Sequence, residues 1–270
     1  MKLIALKEKI SSQKIININY FNLFSFLSPP IINIAKNLKI VFNLKNDVIL
    51  LGRARTGIYL LVKHFLKHTK NKKVLISPYT IPAIINLIQL AGGKVIFVDS
   101  EPNSTSMNIN QLRMLVRKNK PSVIIITHYS IVERNYYKIY HLCKKNNIKL
   151  IEDSAISPVG ISNKKLINNY SDGSIFSFSS FKLINYFYGG ALRCNNLKIH
   201  DEILKEVSNW KKFNFISYFP QIFKTLIFQL ATSNFIYNFF TFNRLKKKII
   251  NSENKNDKIY FSKKKFKKDK

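Results

Sequence analysis

The chain has 270 residues, with 45 Lys or Arg against 14 Asp or Glu, so its formal net charge at pH 7 is +31. A hydrophobic fraction of 46%, which includes 13% aromatic residues, excludes general disorder, because disorder combines low hydrophobicity with high net charge. Two cysteines cannot supply a disulfide framework or a four-cysteine zinc site, so we expect a reducing compartment.

The first 49 residues form a lead-in segment. Residues 15–43 alternate Ile, Phe and Leu with Asn and Lys and are interrupted by Ser28-Pro29-Pro30. Because no continuous apolar run precedes a small-residue cleavage site, we expect no signal peptide. We interpret residues 1–49 as a segment that packs on the domain that follows.

Residues 50–200 have the alternating pattern of an α/β domain, in which short β-branched runs are separated by stretches of helical length. The predicted strands are Lys73–Ser77, Lys94–Asp99, Ser122–His128, Lys149–Asp153 and Ser174–Phe178, and the predicted helices are 55–69, 80–91, 108–119 and 134–147. This pattern predicts a mostly parallel sheet flanked by helices. Ligands bind such sheets at the carboxyl ends of the strands, so the strand-end residues Asp99, His128 and Asp153 are candidate site residues.

The character of the sequence changes after residue 200. We predict an aromatic-rich helical segment over 201–243, in which Pro220 and Lys224 keep every apolar run shorter than the roughly 18 residues of a membrane-spanning helix. Residues 244–270 are predicted to be a disordered, Lys-rich tail. They hold twelve Lys or Arg and three Asp or Glu, a net charge of +9, which leaves +22 for residues 1–243.

Two interpretations of the positive charge stay open. The sequence is rich in Ile, Asn, Phe and Tyr, which, like Lys, have A/T-rich codons, so the charge can reflect genome composition. Alternatively, it binds an anionic partner. Because no groove-reading or base-stacking motif is present, the sequence argues against nucleic acid as that partner.

Common catalytic and metal-binding motifs are absent from the sequence, including the Gly-rich nucleotide-binding loops and the zinc-protease motif. The five histidines do not cluster. His64 and His68 are four residues apart on a predicted helix but have no third ligand nearby. We therefore interpret them as residues of a solvated helix face and predict no metal site.

Lys182 differs from the other lysines because its flanks, FSFSSF and LINYFYGGAL, are mostly apolar or small. Such surroundings lower the pKa of an amine, as a Schiff-base lysine requires. Asp153 lies at a predicted strand end about 30 residues earlier, and Gly189-Gly190 follow the lysine. Taken singly, the aspartate could be a helix cap and the lysine a solvated side chain, so the pair matters only in its wider context.

Five segments, in chain order, carry a family resemblance: GRARTGIYLL (52–61), VLISPYTIPAIINLIQLAGGKVIFVD (74–99), SVIIITHYS (122–130), LIEDSA (150–155) and SIFSFSSFK with GGAL (174–192). Together they resemble the DegT/DnrJ/EryC1/StrS family, whose members are pyridoxal-phosphate-dependent aminotransferases acting mostly on nucleotide-linked keto-sugars. The resemblance implies an α/β fold, the large domain of a fold-type-I PLP-dependent transferase over residues 50–200. It also implies that the small C-terminal domain is reduced or missing.

The resemblance further implies a binding site for pyridoxal 5'-phosphate. Lys182 matches the catalytic lysine, which binds the cofactor as a Schiff base and then moves the substrate proton. Asp153 matches the catalytic carboxylate, which pairs with the pyridine nitrogen and keeps it protonated. Ser177 matches a phosphate-contacting serine, and Arg55 and Thr56 match the pair that opens the first helix, where backbone N–H groups favour a phosphate.

Three positions depart from the family pattern. Ile81 stands where the family often has an aromatic residue that stacks on the cofactor ring, and nearby Tyr79 is our candidate substitute. Ile156 stands where Gln or His commonly contacts the ring hydroxyl, and Ser130-Ile131-Val132 replaces a glycine-containing turn. These departures keep open the alternative of a truncated or diverged relative without full transaminase activity.

The function implied by the resemblance is transfer of an amino group to a nucleotide-linked keto-sugar in surface-polysaccharide biosynthesis. The amino donor is glutamate in most of the family, and we expect a homodimer in the cytoplasm. A further alternative is a basic protein that binds an anionic membrane surface through residues 213–270. The two are compatible if the enzyme works at the inner membrane face.

Overall fold

The computed structural model describes residues 34–41, 43–129, 132–157, 161–162, 165–179, 182, 189–210, 219–220, 223–224, 227, 230 and 244. The chain divides into two compact units, one formed by residues 1–24 and 219–270 and the other by residues 25–218. Most of the predicted lead-in segment and, apart from Arg244, the predicted tail lie outside the described residues. The predicted domain boundaries therefore stay predictions.

All the strands and helices named below belong to the second unit. The strands are β1 (Val48–Leu51), β2 (Lys73–Ile76), β3 (Lys94–Phe97), β4 (Val123–Thr127), β5 (Lys149–Asp153), β6 (Ile161–Ser162), β7 (Lys165–Leu166), β8 (Gly173–Ser177) and β9 (Gly190–Cys194). The helices are α1 (Ile34–Val41), α2 (Ala54–Leu66), α3 (Pro82–Leu90), α4 (Ile109–Asn119), α5 (Tyr136–Lys145) and α6 (Leu197–Ser208), with a 3₁₀ turn at Ile167–Asn169.

Seven of these strands form one mixed sheet in the order β1-β9-β8-β5-β4-β2-β3. The pairs β8–β5, β5–β4, β4–β2 and β2–β3 are parallel, whereas β9 is antiparallel to both β8 and β1. β6 and β7 form a separate antiparallel pair. The predicted mostly parallel sheet is thus confirmed, and each of the five predicted strands and four predicted helices is present with its ends within three residues.

The first face of the sheet is covered by α2. Ile125, Ile151 and Ile175, from three neighbouring strands, belong to one buried cluster with Ile58 and Leu61 of α2. Burying a side chain of this size stabilises the fold by about 1.5–3 kcal/mol. This layer fixes α2 on the face of the sheet, with the start of the helix near the carboxyl ends of the parallel strands.

The second face of the sheet is covered by α4 and α5. Ile124 and Leu150 lie in a cluster with Leu112 of α4 and Ile139 of α5. Since successive side chains of a strand point to opposite faces, neighbouring residues at a strand end enter different layers. Among the described residues, no helix is long and apolar enough to cross a membrane.

Two glycines bring β9 against the start of α2. A Cβ atom on Gly190 would lie 2.6 Å from the backbone N and Cα atoms of Ala54 and 2.7 Å from the carbonyl oxygen of Phe176. Gly189 has a φ of +107°, a conformation that other residues rarely adopt, and forms a bridge with Arg53. The Gly-Gly pair therefore sets where α2 begins.

Candidate active site

The carboxyl ends of β4, β5 and β8 open into a cavity of about 540 Å³. Thr127, Asp153 and Ser177 contribute its floor, one from each strand, and the start of α2 and the loop after β2 form its sides. This volume lies within the roughly 300–1,000 Å³ that is usual for small-molecule sites. The position is the one expected for a ligand of a parallel sheet.

The cavity brings together five of the six predicted site residues: Arg55, Tyr79, Asp153, Ser177 and Lys182. The sixth, Thr56, is not part of the wall, and its backbone N–H donates to the carbonyl oxygen of Arg53 at 3.1 Å.

The other two strand-end candidates lie elsewhere. Asp99 lines a larger cavity of about 920 Å³ that shares Pro78 and Tyr79 with the first cavity. His128 is fully buried and does not line either cavity.

Asp153 is 8% exposed, and burial raises the pKa of its carboxyl group. The backbone N–H of Ala155, which donates to Asp153 Oδ1 at 3.0 Å, and the positive charge of Lys182 act in the opposite direction. Each of these two influences favours the carboxylate form. The site therefore holds a carboxyl group whose ionisation depends on its cationic neighbours.

The start of α2 gives the cavity an anion-binding end. The N-cap residue, Arg53, has an extended backbone and makes no side-chain capping hydrogen bond, and no acidic residue lies in the first turn. The first N–H groups of a helix have no partner within the helix and carry partial positive charge. With the guanidinium groups of Arg53 and Arg55 in the cavity wall, this end suits a phosphate.

The mouth of the cavity is apolar. Tyr79, Ile81 and Ile156 are 53%, 55% and 39% exposed and all line the cavity. Exposed apolar side chains gathered at one cavity are expected where a flat ring is covered. Ile81 and Ile156, the two departures from the family pattern, thus lie at the site itself.

Tyr129 is a site residue that the sequence interpretation did not assign. It lines the cavity one residue beyond the strand-end candidate His128. Burial, the charge of Asp153 and the neighbouring Tyr79 raise the pKa of its phenol, and Tyr129 and Asp153 line the same cavity. The strand-end position was the available signal, but alternation sends His128 to the other face of the sheet.

The residues present fit pyridoxal phosphate. An amine (Lys182), a buried carboxyl group (Asp153), a hydroxyl group (Ser177) and an anion-binding helix start share one cavity of suitable size. Within the described part of the chain, no group of three or more His, Cys, Asp or Glu could hold a metal ion.

The fold is that of the fold-type-I PLP-dependent transferases. A sugar aminotransferase described as putative, Spr1654 from Streptococcus pneumoniae in its PLP form, matches with a TM-score of 0.61 at 16% identity, over 70% of this chain and 55% of that chain. The aminotransferase PseC of Helicobacter pylori, involved in the biosynthesis of pseudoaminic acid, matches with a TM-score of 0.58 at 19% identity, over 80% of this chain and 56% of that chain.

The chain belongs to the DegT/DnrJ/EryC1/StrS aminotransferase family, whose sequence profile matches residues 44–211. The UDP-4-amino-4,6-dideoxy-N-acetyl-beta-L-altrosamine transaminase of Campylobacter jejuni serotype O:23/36 is 32% identical over 136 residues, 50% of this chain and 36% of that protein. The GDP-perosamine synthase of Escherichia coli O157:H7 is 27% identical over 136 residues, 50% of this chain and 37% of that protein. The chain thus matches little more than a third of the length of these relatives.

Proposed function

We propose that the protein is a PLP-dependent aminotransferase that transfers an amino group, from glutamate, to a nucleotide-linked keto-sugar. The observation that carries the proposal is the placement of Lys182 and Asp153 in one cavity with the start of α2. The names of the curated relatives, which act on UDP-linked and GDP-linked sugars, support the substrate class.

Each residue of the cavity has a task in this proposal. Bound pyridoxal phosphate supplies an electron-withdrawing ring that stabilises negative charge on the substrate carbon. Asp153 would hold a proton on the ring nitrogen of the bound cofactor, and the Lys182 amine would serve as the base and acid that moves the substrate proton. Ser177, Arg55 and the first N–H groups of α2 bind the phosphate.

The apolar mouth of the cavity orients the ring and excludes water. Tyr79 and Ile81 lie in the loop after β2 and at the N-cap of α3, and both are exposed at the mouth. Covering the ring with these side chains removes water from around the reacting groups, which strengthens their electrostatic interactions.

Cofactor attachment tests the proposal directly. Purified protein mixed with pyridoxal phosphate should gain an absorbance band that borohydride converts to a stable adduct, and peptide mass spectrometry should place that adduct on Lys182. Lys182→Ala should abolish the band, whereas Lys94→Ala, at an exposed lysine of β3, should leave it unchanged. Adducts spread over several lysines would contradict the proposal.

Amino transfer is a separate question from cofactor attachment. The loaded protein should lose its band when mixed with glutamate and regain it when a UDP-linked or GDP-linked keto-sugar is added. Attachment at Lys182 without this cycle would favour the alternative of a diverged relative without transaminase activity.

We also propose that the protein is a cytoplasmic homodimer that serves surface-polysaccharide biosynthesis. Exposed apolar side chains at the cavity mouth, including Tyr79 and Ile81, support a second copy as their cover. Light scattering should give twice the chain mass of 31.5 kDa. A monomer over the working concentration range would contradict this assembly.

A membrane-surface role is a second candidate. Phe219, Phe223, Ile227 and Leu230 each have helical backbone, are between 50% and 64% exposed, and recur in the sequence at the three- or four-residue spacing of an amphipathic helix. An apolar helix face followed in sequence by the Lys-rich residues 244–270 suits the interface of an anionic bilayer.

Vesicle flotation tests the membrane role. The chain should float with vesicles rich in anionic lipid but not with neutral vesicles. Phe223→Ser should weaken flotation. Leu204→Ser, the same kind of apolar-to-polar change at an exposed position of α6, should not. Equal flotation of the two variants would contradict this role.

A further inference from the structure

A buried polar cluster lies on the face of the sheet that turns away from the cavity. His128, Tyr136, Glu152 and Arg193 are each at most 1% exposed. Glu152 accepts two hydrogen bonds, one between its Oε2 and His128 Nε2 at 2.9 Å and one to its Oε1 from the Tyr136 hydroxyl at 3.1 Å. Burying polar groups costs free energy of folding unless they are hydrogen-bonded, and the contacts of this cluster therefore indicate a specific structural role.

The hydrogen bonds of His128 fix its protonation state. The backbone N–H of Glu133 donates to His128 Nδ1 at 3.1 Å. Because a backbone N–H can only donate, Nδ1 is the unprotonated nitrogen of the ring. Nε2 therefore carries the hydrogen and donates it to Glu152, and His128 is a neutral imidazole.

Arg193 is a buried cation in the same layer as Glu152. Arg193 Nη2 donates to Ser171 O at 2.8 Å and to Ser174 Oγ at 3.3 Å, while its Nε and Nη1 have no hydrogen-bond partner among the residues that the structure describes. Burial lowers the pKa of this guanidinium, and the charge of Glu152 opposes that effect. Because Arg193 supplies a positive charge in the buried layer that contains Glu152, a neutral His128 imidazole can bind both Glu152 and the backbone of Glu133.

His128 connects the sheet to the loop that carries Tyr129. Its backbone N–H donates to the carbonyl oxygen of Asp153 at 3.0 Å, and its side chain binds the backbone of Glu133, at the far end of the loop. Glu133 is itself held, because its carboxylate accepts the backbone N–H of Met107 at 3.2 Å. The loop between these two points contains Tyr129, which lines the cavity beside Asp153.

We propose that His128 and Glu152 are positioning residues of the cavity, acting from the opposite face of the sheet to hold Tyr129 in the cavity wall that it shares with Asp153. Glu152 orients the imidazole, the imidazole accepts the backbone N–H of Glu133, and Tyr129 follows His128 directly in the chain, so fixing His128 fixes where Tyr129 begins. The inference rests on the proposed function only where it concerns cofactor affinity, since the position of Tyr129 is a property of the cofactor-free chain.

The cofactor-free protein provides the first test. In ¹⁵N NMR spectra the imidazole of His128 should be the neutral form with hydrogen on Nε2. In spectra of ¹³C-labelled tyrosine, assigned with Tyr129→Phe, the pKa of the Tyr129 phenol should stand above its ordinary value and should fall toward it in His128→Asn. Asn keeps an acceptor near the place of Nδ1 but loses the donor to Glu152, so Glu152 no longer orients that acceptor toward the Glu133 N–H.

Controls separate positioning from general loss of stability. Ile139→Val, a change in the same buried layer, should lower the melting temperature without moving the pKa of Tyr129. Glu152→Gln, which keeps the side-chain shape, serves if His128→Asn does not fold, and it should shift the pKa of Tyr129 in the same direction. A Tyr129 pKa that is unchanged in these variants, or an imidazole protonated on Nδ1, would overturn the proposal.

Cofactor affinity provides the second test. His128→Asn should weaken binding of pyridoxal phosphate by about tenfold, the equivalent of losing one well-placed contact. In a Tyr129→Phe background the same substitution should have little further effect, because its influence passes through the phenol. Fully additive effects would overturn the proposal. If the wild-type chain fails to bind pyridoxal phosphate, the proposed function fails, while the Tyr129 pKa still decides the inference.

Discussion

Burial raises the pKa of the Asp153 carboxyl group, although Ala155 N–H and Lys182 oppose the effect. A group that holds its proton more tightly in the folded chain adds stability below its ordinary pKa and loses it as pH rises through the folded value. At neutral pH the surroundings of Asp153 therefore disfavour its carboxylate form in the cofactor-free chain. Such a conflict is expected at a site built for a cationic ligand group.

Asp153→Asn should raise the melting temperature of the cofactor-free chain at neutral pH, because the amide keeps the acceptor for Ala155 N–H and removes the buried charge. Each unit of pKa shift that is relieved corresponds to about 1.4 kcal/mol. The gain should vanish near pH 3, and thermal melts over the pH range measure it. Asp99→Asn, at an exposed strand end, should show no such gain; a destabilised Asp153→Asn chain would contradict the argument.

The strand-end rule predicted Asp153 from the sequence because the apolar residues Leu150 and Ile151 are followed by the acidic end of the strand. It did not predict Tyr129, because the pattern gives the end of β4 but not which of the two adjacent residues, His128 or Tyr129, faces the cavity. Successive side chains of β4 point to opposite faces of the sheet, so the choice depends on which face α2 covers and which face α4 and α5 cover. The sequence does not show on which face α2 packs.

Among the elements, the contact between β9 and α2 decides the shape of the anion-binding end. Gly190→Ala would place a methyl group 2.6 Å from the backbone of Ala54, which cannot give way as a flexible side chain could. We expect a loss of about 1–3 kcal/mol in the free energy of unfolding, the usual result of overpacking.

Cofactor affinity should fall together with stability in Gly190→Ala, because α2 moves relative to Ser177 and Lys182. Denaturant titration and absorbance titration measure the two effects. Gly92→Ala is the matched control: φ at Gly92 is +83°, so the variant is strained, but the residue does not line the cavity. Affinity that falls equally in both variants would contradict a local effect.

An ionic contact between α2 and α6 offers a second prediction about elements. Glu206 binds Lys63 at 2.7 Å and His64 Nε2 at 3.1 Å. Burial raises the pKa of the Glu206 carboxyl, but the bonds from Lys63 and His64 outweigh it, so the pKa is lowered overall. A lowered carboxyl pKa adds stability above the ordinary value, which is lost as pH falls through the folded value.

Glu206→Gln should therefore destabilise the chain at pH 7 by about 0.5–1 kcal/mol, and the difference from wild type should diminish as pH falls below the ordinary carboxyl pKa of 4.5 and through the lowered folded value. Thermal melts from pH 3 to pH 8 measure both points. Asp201→Asn, on the same helix but with a side chain 77% exposed, should change stability little across that range. A difference that persists at low pH would show that the contact is not ionic.

The parallel part of the sheet could be predicted from the sequence, because β2 to β5 and β8 are β-branched and separated by stretches of helical length. β1 was not predicted, since its four residues, Val48–Leu51, follow a lead-in of similar composition. The antiparallel course of β9 was not predicted either. It depends on contacts far apart in sequence, such as the pairing of Val48 with Arg193.

At the scale of the whole molecule, the net charge of +31 must be reconciled with a proposed ligand that is small. The cavity presents few cationic groups, among them Arg53, Arg55 and Lys182. Like charges spread over a folded surface repel one another and destabilise the compact state, and salt screens this repulsion. If the dispersed charge reflects composition, it should weaken the fold without helping the site.

Replacing three dispersed, exposed lysines should therefore stabilise the protein at low ionic strength and leave the site intact. The variant Lys94→Gln, Lys118→Gln, Lys145→Gln should melt higher than wild type at about 10 mM salt, where the Debye length is about 30 Å, and the gap should narrow near 1 M. Its affinity for pyridoxal phosphate should be unchanged, whereas Arg55→Gln should weaken binding about tenfold by removing one charged phosphate contact. Equal loss of affinity in both variants would mean that the dispersed charge serves the ligand, and the compositional interpretation would then be wrong.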